Sequence, residues 1–299
     1  MIDILYSKLT SMQNKIAVAC AHDEDVLSAV YQAKKANISD AILVGDQVLI
    51  KSILANLNWD LNFEIIHESD KEKAVAQCIQ LIHSKKANIL MKGIVDTSVL
   101  LKQVVSSDSG LKASPVLAHV SIFKVPTLDR LMVMSDGAMN IQPNLEQKAH
   151  IIRHCVEVAK AIELNPIRVG VICAVEKVNP KMECTVHAIE LRKMNELGLI
   201  KDCIVDGPFA IDNAVSITAA KHKGITSSNA GLINVLLHAN IEAGNVMYKT
   251  ITYLAQGETA GVVMGATVPI VVTSRADNDK NKLNSIALAA LIAQQQKAE

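Results

Sequence analysis

Hydrophobic positions along this 299-residue chain follow two alternating rhythms. Short aliphatic runs, rich in Val, Ile and Leu, alternate with stretches in which apolar residues return every three or four positions. The first pattern fits strands buried on both faces and the second fits amphipathic helices. The opening part of the chain predicts strands over 15–20, 40–44, 62–67 and 88–93. Helices are predicted between them over 23–36, 46–56, 69–87 and 96–106, with Asp23 as the N-cap of the first. VLAHVSIFKV and RLMVMSD then read as a strand pair.

The rhythm restarts with a helix over 145–164, a strand over 167–175 and a helix over 183–197. A strand over 203–207, a helix over 210–221, a strand over 233–237 and a helix over 242–255 follow. AGVVMG and PIVVTS are the last two strands, and a helix over 279–296 closes the chain. Alternation of this kind predicts an α/β protein with largely parallel sheets and helices on both faces. The second round begins near Asp136, which suits two parallel-sheet lobes with a ligand cleft between them.

Composition narrows this picture. Half of the residues are hydrophobic but only 3% are aromatic, so the core is expected to be aliphatic. Thirty basic residues balance thirty acidic ones, which leaves no net field for nucleic acid or an anionic membrane. The six cysteines form no C-x-x-C pair and fit a reducing compartment better than a disulfide framework or zinc site. The N-terminus lacks the pattern of a secretory signal, and no run is long enough for a membrane span. A cytoplasmic protein is expected.

Three strand ends carry candidate chemistry. Lys92-Gly93 is followed by Asp96, Thr97 and Ser98 at a helix start. The glycine permits close backbone approach, the helix start offers N–H groups, and the lysine adds charge, which together suit a phosphate or carboxylate. An ordinary turn with Asp96 or Thr97 as cap is the competing explanation. Ser274-Arg275 ends the last strand, and arginine holds phosphate in a bidentate grip that a hydroxyl complements. A capping serine beside a surface arginine is the alternative there. In DGPFAIDNAVS, Asp206 and Asn213 bracket a strand–turn–helix that also reads as plain turn chemistry.

Other signatures are absent. No G-x-G-x-x-G follows the first strand, and no G-x-x-x-x-G-K-[ST] or G-x-S-x-G occurs. His150 and His154 lie four apart without the glutamate of a zinc protease helix, and read as an exposed helical pair. Gly261 and Gly265 fall in a strand-like run where G-x-x-x-G has no membrane meaning.

Seven segments in order, MKGIVDTSVLL, DGAMNIQPNLEQK, VNPKM, VDGPFAIDNAVS, AAKHKGI, IEAGNVMYK and TSRADNDKNKLNSIALAA, closely resemble the phosphate acetyl/butyryl transferases, the butyryl branch above the acetyl one. The resemblance implies two α/β domains of the isocitrate/isopropylmalate dehydrogenase-like type, usually in a homodimer. The second would be inserted, giving 1–137 plus 271–299 and 138–270, with the active site in the cleft. The implied reaction converts acyl-CoA and phosphate to acyl phosphate and CoA. It uses small-molecule substrates only, with no metal and no permanently bound cofactor.

That reaction sets physical demands. When acyl phosphate is the acyl donor the CoA thiol attacks its carbonyl, and at a reference pKa near 8.5 only about 3% is thiolate at neutral pH. Complete ionisation costs about 2 kcal/mol, so a base or a local positive field helps. The phosphate and the tetrahedral oxyanion both need donors. With the resemblance, Arg275 is expected to hold the phosphate and Ser274 to serve either the phosphate or the developing oxyanion, with Lys92, Gly93, Thr97 and Ser98 completing an anion cradle and Lys102 and Asn213 as further substrate contacts. Acetyl-type relatives carry an acidic base where this chain has Asn281, so Asp277 becomes the candidate base, with a helix N-cap as its alternative. Lys102 and Lys112 stand where the family usually has arginine. Two other readings remain open: an NAD-dependent isocitrate dehydrogenase-like oxidoreductase, and a non-catalytic protein that binds CoA or acyl phosphate.

Overall fold

The computed structural model describes residues 2–9, 14–57, 62–272 and 278–298. Its strands are β1 (Lys15–Ala19), β2 (Asp40–Gly45), β3 (Glu64–His67), β4 (Ile89–Lys92), β5 (Ala118–Lys124), β6 (Met132–Ser135), β7 (Arg168–Ile172), β8 (Ile204–Phe209), β9 (Val235–Leu237), β10 (Glu258–Met264) and β11 (Ile270–Val271). Helices separate most of them, so the predicted α/β alternation is what the chain adopts.

Two compact units make up the chain. One takes the described residues up to Ser114 and those from Ala260 onward; the other is Pro115–Thr259. The family resemblance implies junctions at 137–138 and 270–271 instead. The β5–β6 hairpin belongs to the second unit, where β6 pairs with β9.

In the first unit the strand order is β3-β2-β1-β4-β11-β10. Every neighbouring pair is parallel except β10 with β11. The aliphatic runs of β1 and β2 are almost wholly buried, which explains why they lack strand alternation. Asp23 caps helix Glu24–Lys35 as expected, accepting from Val26 N at 3.0 Å. The last helix, Asp279–Ala298, packs against Glu24–Lys35 and buries Ile286 to Ala293.

The second unit has the order β5-β6-β9-β7-β8, with β5–β6 antiparallel and the rest parallel. Phe123, Met132, Met134, Phe209, Ile233 and Leu236 centre one of its apolar clusters. Three predicted features differ here. The helix expected over 210–221 is two short ones, Ile211–Val215 and Ile217–His222. Ser216 adopts an extended conformation between them and its side chain caps the second, an alternative to helix that serine readily takes. The helix expected over 242–255 ends as an α-helix at Lys249 and continues through Thr250–Leu254 as a π turn. Finally, His154 is buried rather than exposed, because its Nε2 reaches Val116 O at 2.9 Å on the packed face of helix Leu145–Ala161.

Candidate active site

In open parallel sheets, ligands collect at the carboxyl ends of the strands. At that edge of the first unit stands Lys92, the last residue of β4. Its ammonium donates to Gly93 O at 3.1 Å and Val95 O at 3.2 Å, which fixes a positive charge over the turn into helix Thr97–Val105. Gly93 is required for a reason different from ligand approach. A Cβ there would stand 2.2 Å from Cys20 O and 2.6 Å from Ala19 O. The glycine N–H donates to Ala19 O at 2.8 Å, so this amide ties β4 to β1.

Helix Thr97–Val105 begins at Asp96, whose side chain makes no capping bond. Its first residues, Thr97 and Ser98, are exposed. Lys102 is also exposed and lies one turn beyond Ser98 on the same face. The helix start therefore presents two hydroxyls and an ammonium beside the fixed charge of Lys92. The dipole at the helix start adds to that positive field.

Parallel to β4 runs β11, with Val271 opposite Met91, so both strands finish at the same edge. Ser274, Arg275 and Asp277, the candidates beyond β11, lie outside the described residues. The cap of the last helix is Asn278, whose Oδ1 accepts from Asn281 N at 2.8 Å. Asn281 is buried at 4% exposure, and Lys282 beside it reaches Asp25 at 2.8 Å.

Asn213 belongs to the second unit and is fully buried. Its Nδ2 donates to Glu176 Oε1 at 2.6 Å, and Glu176 also accepts from Lys223 Nζ. Lys223 pairs with Asp212 at 3.0 Å as well. The Lys223 hydrogen bond holds the Glu176 carboxyl below its ordinary range, and the lysine is raised in return. Asp206, the other polar residue of that segment, is a tie: it accepts from Ser227 Oγ and from Asn229 Nδ2, pinning the loop that returns beside β8.

The same carboxyl edge of this unit carries an ordered acidic loop after β6. Asp136 is buried and accepts from the backbone of Ala138, Met139 and Asn140, and from Asn140 Nδ2 at 2.6 Å. Its oxygens shape the turn rather than standing open to a ligand. Among the described residues, no group of three His, Cys, Asp or Glu side chains is placed to hold a metal ion. No helix among them is long and apolar enough to cross a membrane.

Comparison with known proteins decides the lineage. The sequence model of the phosphate acetyl/butaryl transferase family matches residues 1–81 and 60–290. The chain belongs to this family. A phosphate butyryltransferase of Clostridium acetobutylicum is 45% identical over 292 residues, covering 97% of each chain. A phosphate acetyltransferase of Thermotoga maritima is 41% identical, covering 93% of this chain and 95% of its own. Among solved structures, a branched-chain phosphotransacylase from Enterococcus faecalis V583 aligns with a TM-score of 0.82 at 28% identity. That alignment covers 94% of this chain and 99% of the other.

Within this family member, the structure gathers Lys92, Gly93, Thr97, Ser98 and Lys102 at one sheet edge and places Asn213 in the other unit. Sequence reasoning passed over Glu176, Lys223, Lys148 and His238. Lys148 and Lys223 sit inside segments that resemble the family, and that was the available signal. Glu176 and His238 lie outside the quoted segments and become visible only through their neighbours in space.

Proposed function

We propose that this protein exchanges a short acyl group between CoA and inorganic phosphate. Butyryl-CoA, or another short or branched acyl-CoA, and phosphate give the acyl phosphate and free CoA, reversibly. Likeness over almost the whole chain to a phosphate butyryltransferase carries this reading. A phosphate oxygen attacks the thioester carbonyl carbon, and the resulting tetrahedral oxyanion collapses as the C–S bond breaks. The sulfur leaves with the bonding pair and takes up a proton.

In this reading Ser274 and Arg275 hold the phosphate, and Lys92, Thr97, Ser98 and Lys102 supply the surrounding positive field. Gly93 contributes by letting β4 close on β1, which sets where the turn begins. Asp277 exchanges the thiol proton. CoA enters as substrate and leaves as product, and no bound cofactor is assigned a step. We further read the two units as an isocitrate/isopropylmalate dehydrogenase-like pair in a cytoplasmic homodimer, acting on small molecules and not on nucleic acid or membranes. The two α/β units support the first part of that statement.

The test is purified protein with butyryl-CoA, with and without phosphate, followed by a thiol-reactive dye. Phosphate-dependent thiol release is expected. Arg275→Ala should raise the phosphate KM and lower kcat by at least about tenfold, the scale of a lost charged hydrogen bond. Saturable CoA binding without turnover, or oxidation of a hydroxy acid by NAD, would overturn the reading.

A further inference from the structure

Two thiols that are apart in the sequence meet in the second unit. Cys173 directly follows β7, and its N–H donates to Phe209 O at 2.7 Å. Cys184 is the second residue of helix Glu183–Glu196. Their side chains are hydrogen-bonded to each other, with the loop from Ala174 to Glu183 running between them. Cys184 is half-buried and Cys173 is 8% exposed, so one sulfur of the pair is open to solvent and the other is shielded.

The frame around this pair is fixed. Thr185 Oγ1 donates to Met182 O at 2.8 Å and accepts from Asn179 N at 2.9 Å, which ties the loop to the helix start. One turn beyond Cys184 on the same helix, His187 Nδ1 meets Lys148 Nζ at 3.0 Å. The buried Lys148 ammonium acts on both sulfurs, so a positive charge stands where an attacking sulfur carries a negative one. The other four cysteines are placed differently. Cys20, Cys78 and Cys155 are each at most 1% exposed. Cys203 is half-buried, but burial raises its thiol to about 11 and keeps it protonated at neutral pH.

We propose that Cys173 and Cys184 form a reversible disulfide in response to a hydroperoxide, and that this bond slows turnover. With hydrogen peroxide, the Cys184 sulfur attacks one oxygen. An S–O bond forms as the O–O bond breaks, and the second oxygen leaves as water with the thiol proton. Cys173 then attacks the sulfenic sulfur, forming the S–S bond and expelling a second water that carries its own proton. The two sulfurs lose two electrons, which the peroxide takes up, and an external dithiol returns them. Burial pushes the Cys173 thiol up, which suits the partner that acts second.

A disulfide holds its sulfurs about 2.05 Å apart, closer than hydrogen-bonded thiols stand. Cys173 and Cys184 flank the loop whose Val175 to Pro180 line a cavity of 690 Å³. β7 is paired on both sides, by β8 and β9, and Thr185 anchors the helix, so the loop is the part that yields. The loss of turnover rests on the acyltransferase reading above; the bond itself does not.

The test treats the reduced full chain with hydrogen peroxide, removes the peroxide, alkylates free thiols and digests without reductant. The chain should lose two hydrogens in mass and yield one peptide pair joined through Cys173 and Cys184. Butyryl-CoA turnover should fall at least about fivefold and return with dithiothreitol. Cys184→Ser should keep basal turnover and resist peroxide, whereas Cys203→Ser should respond as the wild type does. Cys173→Ser should stop at the sulfenic acid, read as a dimedone adduct on Cys184. Survival of both thiols, or a sulfinic Cys184 beside a free Cys173, would overturn the proposal. A joined pair with unchanged turnover would overturn it as a switch. If the reduced protein does not turn over butyryl-CoA at all, the transferase reading falls, and the joined peptide alone decides the disulfide site.

Discussion

The backbone of Gly244 rests on that of Asp136, so closely that a Cβ on Gly244 would stand 2.1 Å from the Asp136 carbonyl oxygen. The neighbouring Asn245 donates to Gly137 O at 2.9 Å, which locks helix Ile241–Lys249 to the loop after β6. Alanine in a helix is normally better than glycine by about 1 kcal/mol. Here the obstacle is backbone, which cannot rotate away, and overpacking of this kind costs about 1–3 kcal/mol or more. Gly244→Ala should therefore lower stability by about 2 kcal/mol in denaturant titration. A gain in stability would show that the helix shifts freely off the loop.

A buried amine poses a different question. Lys148 is 2% exposed and its Nζ lies 3.0 Å from His187 Nδ1. Burial pushes the lysine below its ordinary pKa, and His187 is lowered by burial and by the nearby ammonium. Truncation to alanine leaves a cavity and strands the imidazole, for a cost of about 2–5 kcal/mol. Methionine keeps the volume and removes the amine that had to be desolvated, so Lys148→Met should cost less than about 1.5 kcal/mol. Paired thermal melts of the two variants separate packing from charge. Equal losses would show that the amine itself holds the site.

These two contacts mark where sequence reasoning stops. The α/β alternation was legible because each strand is an unbroken aliphatic run and each helix keeps its period, so local pattern and global fold agree. The Lys92 turn was legible because a charge, a glycine and a helix start fall within seven residues. The need for Gly93 was not, since it comes from Cys20 O, seventy-three positions earlier in the chain. Lys148 reads as a solvated position in an amphipathic helix until His187 closes over it from another helix. Ser216 breaks a helix whose apolar period runs straight through it, because its own hydroxyl offers the backbone a better ending. The first two misses are tertiary partners overriding a local reading, and the third is a local cap overriding an apolar period.

Lys102 tests the anion cradle without disturbing the fold. Its side chain is exposed, one turn from Ser98, and substitutions at such positions usually change stability by under about 0.5 kcal/mol. Losing a charged donor to phosphate is worth about 1.5–3 kcal/mol, or roughly ten- to a hundredfold in affinity. Lys102→Ala should raise the phosphate KM by at least about tenfold and leave the butyryl-CoA KM unchanged, whereas Lys102→Arg should retain phosphate binding. Steady-state kinetics with each substrate varied in turn gives the answer. An unchanged phosphate KM in Lys102→Ala would remove this residue from the cradle.

His238 gives the pH behaviour a definite sign. It follows β9, is 4% exposed, and its Nε2 has no hydrogen-bond partner among the described residues. Burial lowers its pKa from 6.5 to about 4. Below pH 6.5 the unfolded chain takes up a proton that the folded imidazole refuses, so stability falls with acid and stops falling on this account near pH 4. The full effect is about 3 kcal/mol, at a slope of about 1.4 kcal/mol per pH unit. His154 and His187 are also lowered by burial and add to the same window, so the informative quantity is a difference between proteins. Through pH 6 to 4.5, the wild type should lose about 1.4 kcal/mol per unit more than His238→Gln in urea titrations. Parallel slopes would mean that the imidazole is already protonated in the fold, which its burial opposes.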